Sequence, residues 1–133
     1  MSPRTRHFLR YQLPAIVWAL VIFAASSIPA SKLPRIVLKI SDKIIHGSVF
    51  LVFGLLVYRA LEIRIQRSSF DWRRALLTVC AVTAYGVLDE LHQSFVPGRT
   101  TDVWDATADA TGGLLSALIL YLVYRRRKVE TSP

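Results

Sequence analysis

Apolar residues are gathered into four long stretches separated by short polar segments. The stretches run from Leu13 to Ile28, Ile44 to Leu61, Ala75 to Leu91 and Val103 to Tyr124. Each is near the roughly 17 to 25 residues that a helix needs to cross a bilayer. A soluble four-helix bundle would need a polar face on each helix, which segments such as "FLVFGLLVY" lack. The pattern predicts an all-α, four-helix transmembrane bundle over residues 13–124, with basic tails at 1–12 and 125–133.

The pattern changes between the first and second stretches. Leu33, Ile36, Val37 and Ile40 recur at helical spacing on one side, and basic residues occupy the other. This predicts an amphipathic segment that lies in the membrane interface before the second span.

Composition agrees with a membrane protein. The chain is 53% hydrophobic and has a mean hydropathy of +0.39, above the usual range of a small soluble domain. Its single cysteine, Cys80, lies in the middle of the third stretch and is interpreted as a small packing residue. No disulfide is expected.

The net charge of +8 invites a nucleic-acid interpretation, but the distribution of the charge argues against one. Twelve of the 17 basic residues flank one side of the four stretches, and five flank the other. The positive-inside rule then predicts that both termini are cytoplasmic, in a multi-pass protein of the plasma (inner) membrane. The excess charge sets topology, and no nucleic-acid partner is expected.

An alternative concerns the N-terminus, where a basic region, an apolar run and "SSIPA" resemble a secretory signal with a cleavage site. Ile28 and Pro29 fit such a site poorly. Cleavage would leave the orientation of the other three spans unchanged.

Ionisable residues collect on the predicted outer side, in "DKIIH" and in "LDELHQSFVPGRTTDVWDATADATGG". Helical spacings of three and four place these residues on shared stripes that can point inward. Asp109 lies roughly 10 Å along the helix from Asp102, where an unpaired carboxylate is costly. We expect a recessed polar site whose candidate ligand-binding residues are Asp42, Lys43, His46, Asp89, Glu90, His92, Gln93, Arg99, Asp102, Asp105 and Asp109.

The site is acidic, with six carboxylates against Lys43 and Arg99. A bare phosphate would be repelled unless the histidines are protonated, a cation completes the site or the ligand is itself positive. Two histidines with carboxylates could hold a divalent transition metal, whereas carboxylates alone suit magnesium or calcium. No signature motif such as HExxH specifies a cofactor, and ion pairs that only fix helix register remain an alternative.

These residues resemble the VanZ-like family of small bacterial membrane proteins. The similarity covers about Ser26 to Leu118 and rests on three ordered motifs: DKxxH, DExHQxFxPxR and DxxxDxxG. The resemblance implies a four-helix transmembrane domain and, for the founding member, lowered susceptibility to the antibiotic teicoplanin. The family motif falls on Asp42, Lys43, His46, Glu90, His92, Gln93, Arg99, Asp105, Asp109 and Gly112.

Two positions depart from the family pattern. Gly47 stands where an aromatic residue is usual, and Asp109 stands where many relatives have asparagine. The second departure adds a charge to a buried site and makes a bound cation more attractive here.

Two hypotheses for function follow. In the preferred one, a module that is not primarily an enzyme recognises a cell-envelope component, such as a lipid-linked wall precursor or its peptide, at the outer leaflet. Arg99 would clamp a phosphate or carboxylate there. Lys32, Arg35 and Lys39 would form a basic collar that attracts anionic headgroups.

The rival hypothesis is a metal-dependent hydrolase or transferase that acts on a lipid or stem peptide. His46, His92 and Asp105 would be the metal ligands, and Glu90, or else His92, is the candidate acid–base residue. A small dimeric transporter is a third alternative, although a transporter is expected to have charged residues nearer the membrane midplane than Asp109. The oligomeric state is not indicated by the sequence.

Overall fold

The computed structural model describes residues 1–33, 42–62 and 69–130 of the chain, with side chains up to Arg127. The described residues form helices and connecting segments and contain no strand. Four helices are long and apolar enough to cross a membrane. They are α1 (Pro3–Ser26), α2 (Asp42–Ala60), α3 (Trp72–Gln93) and α4 (Val103–Glu130). A short 3₁₀ turn, Ala30–Lys32, follows α1.

Local chemistry explains where the helices begin and bend. The Asp71 carboxylate accepts hydrogen bonds from the backbone N–H groups of Arg73 and Arg74, and so caps α3. The Asp102 carboxylate caps α4 in the same way through Trp104 N–H. In α1, Phe8–Gln12 widens to a π-helical turn. Pro14 lies just beyond this turn and has no N–H to continue the regular ladder.

The most extensive contact joins α2 and α4, whose backbones approach closely at small residues. A Cβ atom on Gly112 would lie 2.8 Å from the backbone nitrogen of Leu51 and 3.1 Å from the carbonyl carbon of Phe50. Toward the C-terminal end of α2, in the same interface, Gly54 faces the buried Ser116. Small residues therefore set the distance between these helices, as is common in membrane bundles.

The interior is a thin apolar core beneath a polar end. Ile22, Phe50, Phe53 and Val82 are buried together, and Tyr85 packs against them. By contrast, many large apolar side chains face outward, including Leu20, Leu76, Leu88 and Leu114. An outward-facing apolar surface of this extent is what a bilayer covers.

The four-helix prediction is confirmed, with shifted boundaries. The tail expected at 1–12 is helical from Pro3, α1 ends at Ser26, and α4 continues beyond Tyr124. The prediction that Cys80 is a packing residue is wrong, because Cys80 is exposed on the outer face of α3. The amphipathic segment falls mostly on residues 34–41, outside the described residues, and it stays a prediction, as does the orientation of the termini.

Candidate functional site

The polar residues meet at one end of the bundle, where α2 and α4 begin and α1 and α3 end. Two groups can be distinguished there. One lies between α2, α3 and α4, and the other lies between α1 and α3.

Lys43, in the first turn of α2, bridges two carboxylates at the start of α4. Its Nζ donates to Asp102 Oδ2 at 2.5 Å and to Asp105 Oδ1 at 2.6 Å. Both bonds are charge-assisted, although Lys43 and Asp102 are partly exposed to solvent. The hydrogen bond from Lys43 lowers the pKa of the Asp102 carboxyl below its ordinary value of 3.8, and the Trp104 N–H acts in the same direction. This lysine bridge fixes the register of α2 against α4.

His46, Glu90 and Asp109 form a histidine–carboxylate group one helical turn deeper, with one residue from each of three helices. Nδ1 of His46 lies 2.9 Å from Asp109 Oδ1, at which distance a ring N–H donates to the carboxylate. The same nitrogen lies 3.9 Å from Glu90 Oε1. All three residues are buried, Asp109 completely.

The group leaves two acceptors without a partner. Glu90 Oε1 and Asp109 Oδ2 are buried and have no hydrogen bond among the described residues. Glu90 Oε2 is different because it accepts from the backbone N–H of Asp102 at 3.0 Å. The carboxylate of Asp109 fits here because Gly86 has no side chain. A Cβ atom on Gly86 would lie 2.8 Å from Asp109 Oδ2. Orphaned buried acceptors are rare and often mark functional sites.

Three further candidate residues face α1. Asp89 Oδ2 accepts from Ser26 Oγ at 2.9 Å and from Gln93 Nε2 at 3.0 Å. His92 Nε2 lies 2.9 Å from Ser27 Oγ, and the ring packs 4.5 Å from that of Phe23. Because Ser27 O–H already donates to the Phe23 carbonyl, the serine oxygen accepts from the histidine.

Arg99 ties the turn after α3 to the end of α1. Its Nε donates to the Ile28 carbonyl at 3.2 Å, and Nη2 donates to the Ala25 carbonyl at 3.4 Å. These bonds use two of the five guanidinium donors.

An amphipathic cleft opens between α1 and α2 beside these groups. Its volume is about 430 Å³. The polar part of its wall comes from Ser26, Asp42, His46, Asp89 and Arg99. Ile22, Ala25, Ile45, Val49 and Phe50 contribute most of its apolar part. His46 thus belongs both to the cleft wall and to the histidine–carboxylate group.

All eleven candidate residues lie at this end of the bundle, but they do not form one cluster. Within the described part of the chain, two sets of three residues have ligand atoms within 4.8 Å of one another: Asp42 with His46 and Asp105, and His46 with Glu90 and Asp109. His92, proposed from the sequence as a metal ligand, belongs to neither set, because its side chain is directed to Ser27 on α1.

Sequence reasoning missed the contributions of Ser26, Ser27 and Gly86. The two serines were visible as polar residues at the end of the first apolar stretch, but they were interpreted only as part of a cleavage signal. Gly86 carries no recognisable signal, since its importance comes from the approach of a residue 23 positions away on another helix.

Four membrane-length helices with a buried polar group at one end are typical of a multi-pass membrane protein that carries a recessed polar site. Comparison with known proteins then defines the family. The VanZ/LLP1 family model matches residues 11–124, and the chain belongs to this family. The resemblance noted in the motifs is thereby confirmed.

A relative from the fission yeast Schizosaccharomyces pombe, an uncharacterised protein, is 33% identical over 131 residues. The match covers 98% of this chain and 75% of the yeast protein. This relative is a eukaryotic protein, and the expected restriction to bacteria is not shown. No solved structure matches the chain significantly.

Proposed function

We propose that this protein recognises the headgroup of a lipid-linked component of the cell envelope, with the polar end of the bundle on the non-cytoplasmic side of the membrane. The observation that carries the proposal is the cleft between α1 and α2. Its wall is apolar along Ile22, Val49 and Phe50 and polar at Asp42, His46 and Arg99. A ligand with an apolar tail and a polar head matches both parts of this wall.

The orientation rests on charge. Most basic residues flank the end of the bundle opposite the site, and the positive-inside rule places that end in the cytoplasm. Since the family includes a yeast relative, the ligand class is defined by its chemistry, a long apolar tail joined to a phosphate-bearing or peptide headgroup, and bacterial wall precursors are one instance of it.

The test is to identify the lipids that co-purify with the protein after extraction in mild detergent. Ala25→Trp fills the cleft, because Ala25 is part of its wall. Ala81→Trp is the matched control, because Ala81 is exposed on α3 and does not line the cleft.

We expect the wild type and Ala81→Trp to retain an amphiphile in stoichiometric amount and Ala25→Trp to lose it. If the wild type retains no amphiphile after incubation with a total lipid extract, or if both tryptophan variants lose it equally, the proposal is wrong.

A second function is favoured by a specific observation, the two buried carboxylate oxygens without partners on Glu90 and Asp109. Such oxygens suit a proton acceptor or a metal ligand in a hydrolase. In hydrolysis of a phosphate-linked lipid, water adds to phosphorus and the bond to the leaving oxygen breaks. One carboxylate takes the proton from water, and the leaving oxygen gains one.

Release of the headgroup from a lipid-linked phosphate, measured for the wild type and for Glu90→Gln, distinguishes the two functions. Turnover that depends on Glu90 would establish the hydrolase. Stoichiometric binding without turnover would leave the recognition function.

A further inference from the structure

We infer that His46, Glu90 and Asp109 bind one divalent transition-metal ion between α2, α3 and α4. The role of the ion, to hold an anionic headgroup that the acidic site would otherwise repel, rests on the proposed function. The existence of the metal site does not.

The ligand atoms are close to the spacing that a metal requires. They lie within 4.8 Å of one another, and His46 Nδ1 is 2.9 Å from Asp109 Oδ1 and 3.9 Å from Glu90 Oε1. Bonds of about 2.0–2.2 Å to a tetrahedral ion place neighbouring ligand atoms roughly 3.3–3.6 Å apart. The two distances bracket that range, so small side-chain rotations suffice.

An independent observation points to a ligand, namely the orphaned oxygens Glu90 Oε1 and Asp109 Oδ2. Their side chains are only 8% and 0% exposed. Burying a carboxylate oxygen without a partner is costly, and removing the cost needs either a proton or a cation. One divalent ion held by Glu90 Oε1, Asp109 Oδ1 and His46 Nδ1 neutralises both carboxylates and gives Glu90 Oε1 the partner that it lacks.

One of the three ligands, Glu90, is oriented by a hydrogen bond from a neighbouring group, as outer-shell partners orient ligands in metal sites. The Asp102 N–H holds Glu90 Oε2, which leaves Oε1 directed toward His46. To ligate the ion, His46 Nδ1 must lose the proton that it donates to Asp109, and the proton of the neutral ring then sits on Nε2, 4.0 Å from Asp42 Oδ1. Lys43 is held by Asp102 and Asp105 and does not neutralise the group.

The alternative set, Asp42 with His46 and Asp105, is less suitable. Asp42 is exposed, and Asp105 already accepts the Lys43 ammonium at 2.6 Å. One imidazole with two carboxylates favours zinc or manganese over calcium and magnesium, which prefer all-oxygen ligands. Three protein ligands also leave a coordination position for water or for a headgroup oxygen.

The experiment measures zinc and manganese binding to the purified full-length protein by calorimetry and elemental analysis. Glu90→Gln and Asp109→Asn keep the side-chain shape and remove the charge. Asp89→Asn is the control, because it removes a nearby carboxylate that bonds to Ser26 and Gln93 and not to the three ligands. Helical circular dichroism and gel filtration check that every variant is folded.

We expect one ion per chain in the wild type and in Asp89→Asn, and affinity at least tenfold weaker in Glu90→Gln and Asp109→Asn. An absence of stoichiometric metal in the wild type overturns the inference, as does an equal loss in Asp89→Asn. If the two test variants do not fold, the absorption spectrum of Co²⁺ bound to the wild type replaces them. A six-coordinate spectrum with oxygen ligands alone would then overturn it.

An assay of the same samples for bound amphiphile distinguishes a failure of the metal site from a failure of the proposed recognition function. Amphiphile without metal contradicts only the metal site. Metal without amphiphile contradicts only the proposed recognition function.

Discussion

His46 links the two parts of the polar end, because it contacts Asp109 between the helices and also lines the cleft beside α1. His46 and Glu90 were identifiable because ionisable groups next to apolar helices are expensive and need a reason. The partner of His46 was not identifiable, because helical spacing says which residues share a stripe and not which stripes touch. His92 illustrates the limit, since its spacing from Asp89 suggested a common site with His46, yet its ring bonds to Ser27 of α1.

Gly86 supplies a prediction at this scale. In Gly86→Ala, the new Cβ would lie 2.7 Å from Asp109 Cβ, an atom fixed to the α4 backbone, so α3 and α4 must separate. Overpacking of this kind costs about 1–3 kcal/mol. We expect a lower midpoint of thermal unfolding in detergent.

Gly47→Ala is the matched control for Gly86→Ala. Its Cβ would meet only the Ala108 carbonyl oxygen, at an ordinary 3.6 Å. In Gly47→Ala, the stability of helix α2 should be unchanged or increased by up to about 1 kcal/mol. Equal unfolding midpoints for the two variants would show that Asp109 is not packed against Gly86.

Among the helices, α2 and α4 form the interface on which the site depends. Gly112 permits close approach, and the lysine bridge fixes the register at the polar end. The existence of each helix followed from the length of its apolar stretch. Only the start of α4 at Val103 matched its stretch. The other boundaries did not follow, because Asp71 caps an extra turn before α3 and α1 extends into the basic tail.

The lowered pKa of Asp102 predicts a pH dependence of the α2–α4 contact. The folded protein binds a proton at this carboxyl less readily than the unfolded chain does, so the carboxylate stabilises the fold above its ordinary pKa of 3.8. That contribution is lost as the pH falls through the lower pKa of the folded state. It is small, because the pair is partly exposed to solvent.

We therefore expect Asp102→Asn to unfold at a lower temperature than the wild type at pH 7, with the difference shrinking as the pH falls below 4. Lys43→Met removes the same pair from the other side and should follow the same trend. A difference between the wild type and Asp102→Asn that does not change with pH would contradict this account of the bridge.

At the scale of the whole molecule, the bundle has a polar end and a basic end separated by apolar helix surfaces. This division followed from the sequence, since charge and hydropathy alone separate the two ends. The cleft did not follow from it, because its wall combines residues of α1, α2 and α3 with the turn after α3. Such a wall exists only once the helices are packed.

Orientation gives a prediction at this scale. In a Cys80→Ala background, a cysteine at Phe95, which is 79% exposed at the polar end, should react with a membrane-impermeant maleimide in intact cells. A cysteine at Arg125, at the opposite end of α4, should react only after the membrane is permeabilised. The reverse pattern would place the site in the cytoplasm and contradict the proposed orientation.

We propose that the histidine–carboxylate group and the adjoining cleft form one ligand-binding site. Native mass spectrometry of the detergent-purified protein tests it most directly, with the wild type measured beside His46→Ala and His92→Ala. His46 lines the cleft and contacts Asp109, whereas His92 bonds to Ser27. The mass of a bound ligand should therefore be detected on the wild type and on His92→Ala and be absent from His46→Ala. A bound mass that survives in His46→Ala, or no bound mass in any of the three, would contradict the claim.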